Sequence, residues 1–238
     1  MRIREHCWKF VVALSIIVSV IDGSAAGAEH VVLNPADFTT EVTNPYFPLP
    51  VGVVRVYAGE ETDDEGVVHQ YRIEERVLSK PHTVMDIAVV VMEVTELRNG
   101  ELIEITRDSH AQHRDGSVWY FGENVDNYEN GELIDHEGSW IAGEGDSEAG
   151  VSMPADPRVF DTVQQERAPG EAEDWSTIVE TGLALTVPAG WFDNCLKTVD
   201  VNPLESTSEF KFYCPGIGLV REQNADGVTE LVTLEGAA

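Results

Sequence analysis

Val94-Thr95-Glu96-Leu97-Arg98-Asn99-Gly100-Glu101-Leu102-Ile103-Glu104-Ile105-Thr106 decides the fold. Asn-Gly most readily takes the two positive φ values of a tight hairpin turn, and here it separates two runs rich in β-branched residues. Asp115-Gly116, Asn130-Gly131 and Asp226-Gly227 repeat the signal, and Glu65-Gly66 is a weaker version of it. Alternating or Val/Ile/Tyr-rich stretches flank each turn, the pattern of an antiparallel meander. Strands are expected at about 52–60, 67–79, 83–98, 101–113, 117–122 and 132–137. After a Gly/Ser/Asp-rich loop over 143–157 they resume near 159–168, 174–187, 190–201, 208–214, 217–224 and 228–234. The one helical turn falls near Pro35–Phe38, and three prolines make Asn44–Pro50 an extended entry segment.

Val84 to Val94 is almost continuously apolar, so it reads as one central strand buried on both faces. Pro215-Gly216-Ile217-Gly218 forces a sharp bend between two strands. A long meander must hide its edges by closing or curling. The fold class is therefore all-β: a single antiparallel meander curled into a barrel or half-barrel, with room for a hollow interior.

Residues 1–28 read as a signal peptide. Arg2, Arg4 and Lys9 precede the apolar run Phe10–Ile21, and Ala26-Gly27-Ala28 offers small residues for cleavage. Residues 29–238 then form one β domain, exported to the periplasm or beyond the cell, with no membrane span in the mature chain. Export leaves two cysteines, Cys195 and Cys214. The turn around Asn202-Pro203 can bring their strands together in a cross-strand disulfide; two separate buried thiols are the alternative.

Charge narrows the partners. The chain carries 43 acidic and 15 basic residues, a formal −28. Such a surface repels phosphate backbones and anionic membranes, which argues against nucleic acid as a partner. It suits cation binding or solubility in a salty medium.

Asn44-Pro45-Tyr46-Phe47-Pro48-Leu49, Val118-Trp119-Tyr120-Phe121-Gly122-Glu123 and Glu137-Gly138-Ser139-Trp140 resemble a family of uncharacterised exported bacterial β-rich proteins. So do Val187–Thr198, which contains Phe192-Asp193-Asn194-Cys195-Leu196-Lys197-Thr198, and Lys211–Glu222. The Tyr-x-Pro-Gly-x-Gly-Leu-Val ending is also similar to envelope proteins whose curved sheet forms a half-barrel. The resemblance implies a β fold and export and brings no activity or catalytic residues with it. Where that family places an aromatic pair before Ala-Gln-Asp, this chain has Ser109-His110 before Ala111-Gln112-His113.

Candidate chemistry is sparse. His110 and His113 lie three apart on an expected strand, so they face opposite sides and no metal site is expected. Asp63-Asp64-Glu65-Gly66 and Glu144–Glu148 offer loop oxygens for calcium without matching a calcium-loop pattern, so no cofactor is assigned. Glu171 and Glu173, beside Asp174, are candidate catalytic carboxylates for a secreted hydrolase acting on a glycan or ester; two apart, they share a face if the segment is strand. Trp119, Phe121, Tyr128, Trp140 and Trp175 are candidate ligand-binding aromatics. Trp119 and Phe121 share one face of a strand and Tyr120 takes the other. Whether the protein is an enzyme stays open. The leading expectation is a binding protein for a small apolar molecule held in a hollow barrel; the alternatives are that carboxylate-dependent hydrolase and an interaction module that pairs through a sheet edge.

Overall fold

In the computed structural model, which describes residues 33–236, Asn99 and Gly100 take φ of 55° and 82°. They join the strand Ile87–Arg98 (β5) to Glu101–His113 (β6) in the expected two-residue hairpin. Before β5 come a 3-10 turn at Pro35–Asp37 and four strands: Phe38–Thr39 (β1), Val54–Thr62 (β2), Val68–Val77 (β3) and His82–Val84 (β4). After β6 come Val118–Glu129 (β7), Glu132–Asp135 (β8), Trp140–Ile141 (β9), Gly150–Met153 (β10) and Thr162–Gln164 (β11). The series ends with Trp175–Val187 (β12), Gly190–Asn202 (β13), Thr207–Cys214 (β14), Gly218–Gln223 (β15) and Gly227–Glu235 (β16).

All sixteen strands belong to one antiparallel sheet, and its main ladder runs β10-β7-β6-β5-β3-β2-β16-β15-β14-β13-β12-β11. The first long strand, β2, pairs with the last, β16, from Gly227↔Glu61 to Glu235↔Val54. The meander therefore has two wings joined at the middle. Strand pairing does not close the ladder into a complete barrel, but the sheet curls until its two outer edges meet. Next to β10 and β11, Glu148 N–H donates to the Arg167 carbonyl at 2.9 Å. Glycine is required at this seam: a Cβ on Gly150 would fall 2.0 Å from the Gln165 carbonyl oxygen.

Three differences from the sequence reading have local causes. Val84–Val94 is not one strand: Met85 and Asp86 take φ of 50° and 63° and fold β4 back on β5. That turn contains no glycine, so nothing in the sequence announces it. β7 continues to Glu129 because a bulge at Phe121–Gly122 redirects the strand without ending it. The expected strand at 159–168 shrinks to β11, and β10 forms inside the expected loop.

Apolar clusters pack against both faces of the curled sheet. On the outer face of β5–β7, Ile87, Val89, Ala111 and Phe121 pack with Trp140, Ala142 and the covering residues Leu33 and Phe38. At one end of the inner face the entry segment folds in, packing Val42 and Leu49 against Val77, Val90, Met92 and Tyr213. Asn44 fixes this plug: its side-chain amide donates to the carbonyls of Gly116 (2.9 Å) and Pro154 (3.0 Å). Across β13 and β14, Cys195 and Cys214 form the expected disulfide.

Candidate functional site: an acidic cavity inside the curled sheet

The curled sheet holds a cavity of about 360 Å³ that is partly open to solvent. Period-2 alternation decides which side chains enter it. β2 contributes Arg55 and Tyr57, β3 contributes Ile73 and Glu75, and β5 contributes Met92, Val94 and Glu96. On β6 the inward residues are Glu104, Thr106, Asp108 and His110. Two bulges break the parity and add carboxylates. On β7, Tyr120 faces His110 and Glu123 faces Asp108, so three steps on β7 oppose two on β6 and both residues point inward. Gly122 accommodates that bulge with φ 118°, where a Cβ would sit 2.3 Å from the Trp140 carbonyl oxygen. On β15 a second bulge lets both Leu219 and Glu222 face the cavity.

One end of the cavity is apolar, closed by Phe47, Pro48 and Leu49 of the plug with Met92, Tyr213 and Leu219. Beyond it the wall is acidic. Arg55 neutralises one carboxylate, with its guanidinium 3.8 Å from Glu75. The rest of that guanidinium is spent on the plug and on the β14–β15 turn, donating to the Pro48 carbonyl at 2.6 Å and the Ile217 carbonyl at 2.9 Å. Tyr57 O–H donates to Glu75 at 3.0 Å. Lys211 is the other internal cation, with Nζ 2.8 Å from Glu209, 3.7 Å from Asp200 and 3.8 Å from Glu222. Burial opposes the charge on Lys211, but these three carboxylates outweigh it and hold its pKa well above the ordinary value.

Six carboxyl groups of the wall have no such partner. Among the described residues, no basic side chain stands within ion-pair distance of Glu96, Glu104, Asp108, Glu123, Glu166 or Asp174. Four of them are set directly against one another: Glu96 opposes Glu104 across β5–β6, and Asp108 opposes Glu123 across β6–β7. Like charges in directly opposed positions destabilise a sheet. The outer face follows the opposite rule, with Arg107 donating to Glu93 at 3.0 Å and Arg221 to Glu230 at 2.8 Å, both as cross-strand partners.

The inner carboxyls hold protons more tightly as a result. Burial, with the charge of Glu104, raises Glu96 to about 7. Burial raises Asp108 to about 7 despite the hydrogen bond it accepts from Tyr120 at 3.3 Å. Glu123 reaches about 9 through burial and the charges of Asp108 and Glu166. Burial and the neighbouring Asp174 take Glu166 to about 8. Burial lifts Asp174 to about 6 against the pull of Lys211, and leaves its Oδ1 without a hydrogen-bond partner. His110 is affected in the other direction: burial lowers it to about 3, so it is neutral, stacked on Tyr120 with Nδ1 3.3 Å from Ser152 Oγ. A base this weak takes a proton from serine poorly, and the pair serves to satisfy two buried polar atoms.

The residues singled out from sequence lie elsewhere. Phe121 is fully buried in the outer apolar layer, 5.5 Å from Phe38, and Trp140 belongs to the same layer. Trp119 packs edge-on to Phe38 and borders a separate surface pocket with Leu33 and Met85. Tyr128 is half-buried near the far end of β7, opposite Leu133, and Trp175 is exposed on β12. None of the five lines the cavity; its aromatic residues are Phe47, Tyr57, Tyr120 and Tyr213. Glu171 is exposed, and Glu173 accepts the Gly170 N–H at 3.0 Å. Glu171 lies in a turn and Glu173 in the irregular stretch after it, so the shared strand face expected for them is absent; the adjacent Asp174 is the acid that reaches the cavity. Asp63, weighed as a calcium ligand, is spent on the Glu65 and Val67 N–H groups and on His69 at 2.8 Å. Among the described residues no three His, Cys, Asp or Glu side chains are grouped to hold a metal ion. The signal for the cavity acids was present in the sequence as Glu104-x-Thr106-x-Asp108-x-His110, but alternate polar positions read equally well as a face turned to water. Comparison with family models, curated proteins and solved structures returned no match.

Proposed function

We propose that this is an exported protein that binds a small organic cation inside its curled sheet. The observation that carries the reading is the pair of carboxyl–carboxyl cross-strand contacts, Glu96 with Glu104 and Asp108 with Glu123, facing the cavity. A fold gains nothing from repulsion placed there, and a positive guest relieves it. The plug end adds apolar surface from Phe47, Leu49 and Met92, so a cation with an aliphatic or aromatic body fits the lining better than a purely apolar molecule. The hydrolase reading draws less support, because Glu171 and Glu173 stand away from the cavity. Export rests on the leader sequence, whose residues lie outside those described, and agrees with the Cys195–Cys214 bridge. Among the described residues no helix is long and apolar enough to cross a membrane.

Thermal unfolding of the full chain at pH 8, with and without organic ammonium compounds and matched neutral alcohols, tests the reading. A guest at about a hundred times its Kd adds about 2.7 kcal/mol, a rise of roughly 5–10 °C. Stabilisation by the ammonium compounds and not by the alcohols is the expected result. Equal shifts from both sets, or none from the ammonium compounds, refutes it.

A further inference from the structure

We infer that two copies of the chain associate through the outer face of β12–β14, related by a two-fold axis that sets Lys197 of each copy against Glu205 of the other. The cavity plays no part in this contact, so the inference stands apart from the cation-binding reading. Strand alternation defines the face. Asp174 and Lys211 line the cavity, so their neighbours Trp175 and Phe210 point outward. Val201 lies opposite Trp175 and Val199 opposite Phe210, which puts both valines on the same side.

Composition singles this face out. The chain carries 43 acidic and 15 basic residues. Over Trp175–Thr177, Lys197–Val201 and Ser208–Phe212, however, the outward positions hold one base and no acid. The acids of these segments, Asp200 and Glu209, point inward to Lys211. Trp175, Val201 and Phe210 are exposed there, and Leu204 continues the apolar surface into the β13–β14 turn. Copies of so acidic a chain repel one another over most of their surface, and a face free of acids is where they can meet.

Two further observations point to a second copy. The first is Phe160. Asp161 N–H donates to the Arg158 carbonyl at 2.9 Å, so Phe160 holds the third position of a tight turn, with φ 76°. Glycine or asparagine normally takes that conformation, and it strains a bulky residue. The ring gains nothing in return from its own chain, since Phe160 is 82% exposed. The turn is fixed at the margin of the face: Phe160 N–H donates to the Ile178 carbonyl at 2.8 Å, and Thr162 Oγ1 meets the outward Thr177 Oγ1 at 2.9 Å. Strain of this kind clusters at functional positions, and a projecting aromatic is the usual anchor of an interface. The second observation is the charge at the two ends of the face. Lys197 Nζ lies over the Phe210 ring, 3.5 Å from its centroid, and among the described residues no carboxylate stands within ion-pair distance of it. At the opposite end Glu205, exposed in the β13–β14 turn, has no basic partner among them either. A base at one end and an acid at the other make the face complementary to itself once turned about a two-fold axis, as an isologous dimer requires.

Sedimentation velocity of the mature chain at 0.15 M salt, from about 1 to 500 µM, tests the contact. A monomer–dimer equilibrium with a micromolar Kd is expected from a face this small. Phe160→Gly should weaken it about tenfold, while the unfolding temperature of the monomer holds or rises because glycine accepts the positive φ. Lys197→Glu and Glu205→Lys should each weaken it about fivefold, and the double variant Lys197→Glu/Glu205→Lys should regain the parent Kd to within about twofold. A chain monomeric throughout overturns the inference and leaves the face to a partner of other chemistry. A dimer indifferent to Phe160→Gly, a double variant as weak as the single ones, or oligomers that grow without limit overturn it too.

Discussion

Replacing Glu96 with glutamine should stabilise the protein, and increasingly so as pH rises from about 4.5 to 7 and above. Glu96 is largely buried opposite Glu104, and its pKa rises from the ordinary 4.5 to about 7. The folded state therefore holds this proton more tightly than the unfolded chain does, and the sign of the linkage follows. Between about pH 4.5 and 7 the folded protein binds more protons than the unfolded one, so stability falls as pH rises through that window. Above it the full penalty of folding an ionised Glu96 is present. At about 1.36 kcal/mol per tenfold difference in proton affinity, the penalty reaches about 3 kcal/mol, an upper figure because water in the cavity relaxes part of it. Glutamine keeps the shape and loses the charge. Urea unfolding of Glu96→Gln at pH 8.5 should give a gain of 1–3 kcal/mol, roughly 3–10 °C in Tm, and a gain below about 1 kcal/mol at pH 5. A variant no more stable than the parent at pH 8.5, or one equally stabilised at both pH values, would refute the claim that an uncompensated inner carboxylate costs the fold energy.

Two further outcomes test the frame around the cavity. Arg55→Met strands Glu75 without its cation and leaves the Pro48 and Ile217 carbonyls without their donors; a loss of about 3–5 kcal/mol in urea unfolding is expected, and a loss under about 1 kcal/mol would show that the plug is held by packing alone. Cys195→Ala with Cys214→Ala releases a cross-link between residues 19 apart in sequence, and by chain entropy should cost about 3 kcal/mol, read as a lower urea midpoint; an unchanged midpoint contradicts that entropy argument.

How far the sequence could be read follows from how local each determinant is. Asn99-Gly100 and Asn130-Gly131 specify their hairpins because positive φ is demanded at two adjacent residues and these pairs accept it cheaply. Met85-Asp86 meets the same demand with residues that resist it, so tertiary packing of β4 on β5 must supply the difference, and no dipeptide pattern reveals that. The disulfide was legible because one hairpin brings its strands together. The cavity was not, because an acid on a strand looks the same from the sequence whether it faces water or a lumen. Three non-local facts decide between them: β16 pairing with β2, the two edges meeting at Glu148 and Arg167, and bulges that return Glu123 and Glu222 to the inner face. The aromatics misled for the same reason. Trp119 and Phe121 share a face, as alternation requires, but the covering residues Leu33 and Phe38 make it the outer one and leave Tyr120 to the cavity. The inner acids are thus the place where local preference and global fold conflict, since every nearest-neighbour rule for a sheet argues against Glu96 facing Glu104. Conflicts of that kind are found at functional sites; in this cavity protons held on Glu96 and Glu123 relieve part of the repulsion, and under the cation-binding proposal a positive guest relieves the rest.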